Sequence, residues 1–144
     1  MLVLPVISII IDNRAFNQDS TLLFLIGKWF VFWAIGLRLL IAGFKQVFNP
    51  SFTLEKIFHI ESKESQVIVR ELGFANICTG LLATTSLLFE QFRLSAAIVV
   101  GLYLGLAGIY HIIKKPVSTN EVIAMVSDIF IFLVMLIFVL GYVF

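Results

Sequence analysis

The chain has 144 residues, of which 60% are hydrophobic and only 13% are charged. Soluble domains have about 45–50% apolar and about 25% charged residues, so this composition indicates a membrane protein. The net charge of +1 gives no basic face for a nucleic acid. Cys78 is the only cysteine, which excludes an intrachain disulfide, a CxxC redox pair and a cysteine metal cage.

The chain opens with an apolar run, residues 2–11, which Pro5 interrupts and which ends at Asp12 and Arg14. A spanning helix needs about 20 apolar residues, so this run is too short. It also lacks the basic first region and the small-residue cleavage site of a signal peptide. We therefore expect an interfacial or half-inserted segment, with a truncated additional span as the alternative.

Four later segments are each long and apolar enough to cross a bilayer. They predict an all-α fold: a single-domain, integral membrane four-helix bundle. Lys28, near the start of the first span, is expected to extend its ammonium group to the headgroups. Cys78, inside the second span, is expected to be a small buried hydrophobe. The expected spans are residues 22–44, 67–89, 94–113 and 122–144, and the short turn at 90–93 makes the second and third an antiparallel hairpin.

The connections between the spans carry helix start signals. Asn49 and Pro50 suit the N-cap and the first position of a short helix. Residues 51–60 then alternate apolar and charged side chains, which predicts an amphipathic helix on the membrane surface. Before the fourth span, Ser118 and Glu121 have the spacing of a capping box.

Positive charge outside the spans is concentrated in the two larger loops, after the first and third spans. The positive-inside rule then places these loops in the cytoplasm and both termini outside. An extra N-terminal span would return the N-terminus to the cytoplasmic side. The larger loops carry Lys45, Lys56, Lys63, Arg70, Lys114 and Lys115, whereas the opposite side carries Arg14 and Arg93.

Small residues recur at helical spacing in two of the spans. Gly101, Gly105 and Gly108 form a stripe with Ala97 in the third span, and Gly80 continues a similar face in the second. Because small side chains let helix backbones approach closely in lipid, we interpret these faces as helix contacts rather than ligand sites.

Strongly polar side chains stand inside the spans, at similar distances from the ends that meet the two larger loops. Polar groups are costly in hydrocarbon and persist where they face each other, water or a ligand. Arg38 and Asp128 both lie about 10 Å deep, at 1.5 Å per residue. The candidate ligand-binding residues are Arg38, Glu71, Asn76, His111 and Asp128.

Arg38 stays protonated, so it requires a carboxylate. We predict an Arg38–Asp128 pair whose hydrogen bonds are completed by Glu71 and Asn76, with His111 near the mouth. Gln46 and Tyr110 are candidates for the rim. An ion pair that only fixes helix register is the alternative. A metal held by His111, Glu71 and Asp128 is disfavoured because Arg38 would repel a cation, and no catalytic triad is supported.

Two groups of motifs carry a resemblance to known families. The stretch from Gly36 to Lys45, followed by Phe48-Asn-Pro50-Ser-Phe52, resembles the opening of DoxX-type proteins. A related bacterial group of unknown function carries Glu-x-Gly-x-x-Asn, Gly-x-x-His and a late Asp. This chain is even more similar to that group, at Glu71-Leu-Gly73-Phe-Ala-Asn76, Gly108-Ile-Tyr-His111 and Ser127-Asp128.

The resemblance implies a four-helix membrane bundle and marks the same five polar residues. It also implies links with quinone-coupled sulfur oxidation, other redox roles or the assembly of partner proteins. The closer group tends to have a histidine where this chain has Lys45-Gln46. That departure weakens a borrowed metal or proton-relay role.

Two functional hypotheses follow. In the first, a small protein of the bacterial inner membrane has a polar intramembrane pocket for an anionic or quinone-like molecule, or supports a membrane redox partner. In the second, it is a non-catalytic scaffold or assembly factor that packs through its small-residue faces. Whether it is an enzyme and which cofactor it uses stay open, as does a homo-oligomer or a membrane protein partner.

Overall fold

The computed structural model describes residues 2–15, 21–58 and 62–144. In these ranges all regular elements are helical, which confirms the all-α expectation. Four of the described helices, α2, α4, α5 and α6, are long and apolar enough to cross a membrane. The helices are α1 (Val3–Ala15), α2 (Leu22–Phe48), α3 (Pro50–Thr53), α4 (Ser65–Thr85), α5 (Gln91–Lys114) and α6 (Thr119–Val143).

The first helix, α1, packs antiparallel along the start of α2. Asp12 accepts hydrogen bonds from Lys28 Nζ at 2.6 Å and from Trp29 Nε1 at 2.9 Å. Nearer the N-terminus, Ser8 Oγ accepts one from Trp33 Nε1 at 3.0 Å. Lys28 is therefore paired with Asp12 in this contact, and its reach to the headgroups stays a prediction. With 13 residues, α1 is too short to span a bilayer, and it accompanies only part of α2.

The middle of α2 departs from α-helical geometry. Residues Phe30–Leu37 form wider, π-helical turns, and α-helical geometry resumes at Arg38. Because π turns contain more residues per turn, they change the direction in which Arg38 points relative to Lys28. The helix runs on to Phe48, four residues beyond the expected end, and stops before Asn49-Pro50, where proline disfavours helical geometry in the preceding residue.

Two pairs of glycines bring α2 and α4 together. A Cβ on Gly43 would lie 2.7 Å from the carbonyl oxygen of Gly73, and one on Gly80 would lie 3.0 Å from that of Gly36. Real Cβ atoms essentially never approach to 2.7 Å, and 3.0 Å is at the tight limit of their contacts. The two backbones are therefore in direct contact, as the small-residue faces predicted.

The glycine stripe of α5 faces α6. A Cβ on Gly105 would lie 2.7 Å from the ring of Phe132, and one on Gly108 would lie 2.7 Å from Ile129. This confirms the interpretation of the stripe as a helix contact. It also means that the stripe is covered by the protein's own fourth span.

The bundle thus consists of two tightly packed pairs, α2 with α4 and α5 with α6. The two pairs pack against each other through a shared core, in which Val31 and Ile35 of α2 are buried together with Val100 and Ile131. Although a short turn joins α4 and α5, these two helices touch less extensively than either touches its partner in the pair. The seam between α4 and α5 is consequently the looser side of the bundle.

The loop helix α3 starts at Pro50, as expected, and continues in π-helical form over Leu54–Phe58. The side chain of Asn49 makes no capping bond to the helix and instead accepts a hydrogen bond from Ser51 Oγ at 2.9 Å. The rest of the expected amphipathic helix, residues 59–60, lies outside the described residues.

The predicted capping box at the start of α6 is confirmed. Ser118 Oγ accepts from the backbone nitrogen of Glu121, and the Glu121 carboxylate accepts from the backbone nitrogen of Ser118, both at 3.3 Å. Cys78, by contrast, is exposed on the outer face of α4, so the prediction that it is buried is wrong.

Candidate functional site

The polar site is centred on an ion pair between α2 and α6. Arg38 Nη2 donates to Asp128 Oδ1 at 2.5 Å and to Ser127 Oγ at 3.1 Å. Asp128 is buried, whereas about a quarter of the Arg38 side chain is exposed. The predicted Arg38–Asp128 pair is confirmed, and it joins the two tight helix pairs of the bundle.

The predicted partners for the rest of the guanidinium are wrong. Asn76 Nδ2 donates to Gln46 Oε1 at 2.8 Å, and Glu71 is exposed on the outer face of α4. Five residues separate them, which turns their side chains about 140° apart at 3.6 residues per turn. Within the described part of the chain, buried Arg38 Nη1 has no hydrogen-bond partner.

Around the ion pair lies a partly open cavity of about 400 Å³, which we call the chamber. All four spans and α3 contribute to it. Four of the five predicted residues line it, whereas Glu71 is not among its lining residues. These four are Arg38, Asn76, His111 and Asp128, and the expected rim residues Gln46 and Tyr110 also line the chamber.

The lining carries more positive than negative charge. Its cations are Arg38, Lys45 and Lys114, and its only carboxylate is Asp128. With a neutral histidine the lining has an excess of two positive charges (three minus one). Lys45 Nζ is held over the ring of Phe52, 3.4 Å from its centre, and that ring also lines the chamber. A cation can bind an aromatic face in this way and still attract an anion.

Sequence reasoning did not assign Lys45 and Lys114 to the site. The signal was present, because Lys45 follows Arg38 by two helical turns and Lys114 follows His111 by about one turn. Both lysines were counted only as charges of the loops. The structure shows that their side chains line the chamber from the ends of α2 and α5.

A second, smaller cavity adjoins the chamber at the seam between α4 and α5, and we call it the crevice. It has about 130 Å³ and almost no polar surface. Leu72, Asn76 and Tyr103 line both cavities. Ala75 and Val99, which line the crevice alone, are exposed on the outside of the bundle. The crevice therefore lies between the chamber, with which it shares three lining residues, and the outer surface of the spans.

Another apolar groove, of about 260 Å³, runs between α5 and α6. It shares no lining residue with the chamber. The described residues contain no cluster of three histidine, cysteine or acidic side chains that could hold a metal ion. In particular, Glu71 does not join His111 and Asp128.

Fold and site together define a small integral membrane protein of four apolar helices with a positively charged polar chamber among them. The chain belongs to a family of unknown function, DUF6790, whose family model matches residues 1–143. No curated protein and no solved structure matches the chain.

Proposed function

We propose that the chamber binds a small anionic or quinone-like molecule at the level of Arg38. The observation that carries this proposal is the unsatisfied guanidinium nitrogen of Arg38 beside an excess of positive charge. A buried donor without a partner costs about 1–3 kcal/mol. Because Arg38 lines the chamber, an anionic or carbonyl oxygen that bound to this nitrogen would remove that cost.

Each charged residue of the chamber, and also His111, has a role in this proposal. Arg38 binds the anionic or carbonyl oxygen, while Lys45 and Lys114 attract negative charge to the opening. Asp128 holds the guanidinium in place and limits the excess charge. His111, whose imidazole can both donate and accept, handles protons near the opening. Glu71, which is exposed and does not line the chamber, has no role in this proposal.

The finer parts of the hypothesis rest on the DoxX-like motifs alone. These motifs favour a quinone as the ligand, a redox protein as the partner and the bacterial inner membrane as the location. The anionic ligand, by contrast, draws support from the charges of the chamber. We therefore place the anion first and the quinone second.

The alternative is a scaffold or assembly factor that packs through its small-residue faces. Those faces are covered within the chain, since Gly73 and Gly80 contact α2, and Gly105 contacts α6. An ion pair that served only helix register would also need neither the extra lysines nor a cavity beside it. Both points favour ligand binding.

Thermal unfolding of the protein in detergent tests the proposal with two small probes that carry no long alkyl chain. Benzoate represents the anion and a dimethoxybenzoquinone represents the quinone. At about ten times its Kd a bound probe adds about 1.4 kcal/mol of stability. We expect benzoate to raise the Tm of the natural chain, and to have no effect after Arg38→Gln combined with Asp128→Asn.

Arg70→Gln is the matched control, because Arg70 is an exposed arginine near the same end of the bundle and does not line the chamber. This variant should respond to benzoate like the natural chain. A response to the quinone alone would select the second ligand class. No response to either probe, or an equal response in the double variant, would refute the proposal.

A further inference from the structure

The crevice beside the chamber indicates what kind of molecule binds. We infer that the ligand is a single-chain amphiphile with an anionic head, which enters sideways from the lipid between α4 and α5. The inference rests on the proposed function, because the head occupies the same chamber. It adds the class of ligand and its route.

The first argument is the position of the crevice. It lies at the seam between the two tight helix pairs, where α4 and α5 touch less extensively than either touches its partner in the pair. Its outer residues, Ala75 and Val99, are exposed on spanning helices, and in a bilayer such surfaces face lipid chains. A molecule already in the bilayer therefore reaches the crevice without crossing water.

The second argument is the division of polarity. The crevice is lined almost wholly by apolar atoms, whereas the chamber carries Arg38, Lys45 and Lys114. Asn76 and Tyr103 line both cavities, and each combines an apolar part with a polar tip. An apolar crevice beside a charged chamber complements a molecule that has an apolar chain and a charged head.

The third argument is size. At about 130 Å³, the crevice has about one third of the volume of the chamber, at about 400 Å³. It is closed on two sides by α4 and α5 and suits one chain rather than the two of a phospholipid. The head can be a carboxylate or a phosphate, since arginine and lysine bind both.

Photolabelling in nanodiscs of zwitterionic lipid tests the inference. Three probes carry the same long alkyl chain with a diazirine at its middle: a fatty acid, an alkyl phosphate and a fatty alcohol. Mass spectrometry then locates the adducts. We expect at least one anionic probe to label Ala75, Thr79 and Val99 several-fold more than the other lipid-facing positions, and the alcohol to show no such preference.

Two variants narrow the crevice from opposite sides, Ala75→Phe in α4 and Val99→Phe in α5. Both positions are exposed, so the larger ring does not disturb the core. Each should abolish the crevice adducts. Cys78→Phe is the control, because Cys78 is exposed on the same helix as Ala75 and lines neither cavity. It should leave the adducts unchanged.

The head groups distinguish the possible sources. Labelling by the fatty acid alone indicates a carboxylate ligand, and labelling by the alkyl phosphate alone indicates a phosphate ligand; either result supports the inference. Adducts spread evenly over the spans, or concentrated in the groove between α5 and α6, would overturn it. So would crevice adducts that survive both narrowing variants.

Failure of the inference is distinct from failure of the proposed function. If benzoate binds in an Arg38-dependent way while the long probes ignore the crevice, the chamber binds a soluble anion and the lateral route is wrong. If benzoate and the quinone do not bind and no long probe labels the crevice, both proposals are wrong.

Discussion

Arg38 is the residue on which the site depends. Its guanidinium binds Asp128 and Ser127 through Nη2. The second terminal nitrogen, Nη1, has no partner among the described residues. The sequence was sufficient to predict the pair, because Arg38 and Asp128 are equally far from the ends of their spans at the two larger loops. Both side chains therefore lie at the same depth. The sequence was insufficient for Glu71, since depth says nothing about direction around a helix.

Removing one member of the pair should be worse than removing both. Arg38→Met leaves the buried carboxylate of Asp128 without its cation, which costs about 3 kcal/mol or more. Adding Asp128→Leu removes the stranded charge and should recover most of that loss. Thermal unfolding of the single and double variants in one detergent measures the difference.

A double variant no more stable than Arg38→Met would contradict this account of the pair. Function gives a further distinction. If the chain acts only as a scaffold, the folded double variant keeps its activity, whereas a ligand-binding chamber loses it.

At the scale of elements, glycine spacing determines how the helices approach. The contacts of α2 with α4 and of α5 with α6 both follow from glycines that recur along one face, and this was visible in the sequence. The π-helical turns of Phe30–Leu37 were not predicted. A row of apolar residues contains no local signal for such wider turns.

Two glycines should differ in their tolerance of a methyl group. A Cβ on Gly43 would lie 2.7 Å from the backbone oxygen of Gly73, so α2 and α4 would have to separate. On Gly101 the nearest atom is Cβ of Met135, at 3.0 Å, and no backbone atom of α6 lies within 4 Å. Gly43→Ala should therefore lower the Tm markedly, and Gly101→Ala only slightly.

Thermal unfolding of the two variants in the same detergent measures this difference. Equal effects of the two substitutions would show that direct backbone contact does not hold α2 against α4.

The docking of α1 shows another limit of sequence reasoning. The run was recognised as too short to span, but its attachment to α2 was missed. In the sequence, Asp12 ends an apolar run and Lys28 has the position of a headgroup anchor. In the structure they bind each other, Asp12 from α1 and Lys28 from α2. Two charges that are far apart in sequence reveal a contact only when the direction in which each helix runs is known.

On the scale of the whole molecule, four apolar helices surround a polar, positively charged chamber. The class of fold followed from composition and span length, because a bilayer permits few solutions for so apolar a chain. The chamber's lysines and the crevice did not follow, since both depend on which helices pack tightly and which leave a seam. The expected cytoplasmic position of the larger loops stays a prediction.

Cysteine accessibility in nanodiscs tests the chamber most directly, because Cys78→Ser gives a background without cysteine. In that background Ala107→Cys places a thiol in the chamber lining, and Leu106→Cys places one on the neighbouring, lipid-facing position. We predict that a sulfonate-bearing, water-soluble thiol reagent modifies position 107 and not position 106, and faster than a cationic reagent of equal size. Equal rates at the two positions, no reaction at 107, or faster reaction with the cationic reagent would contradict the account.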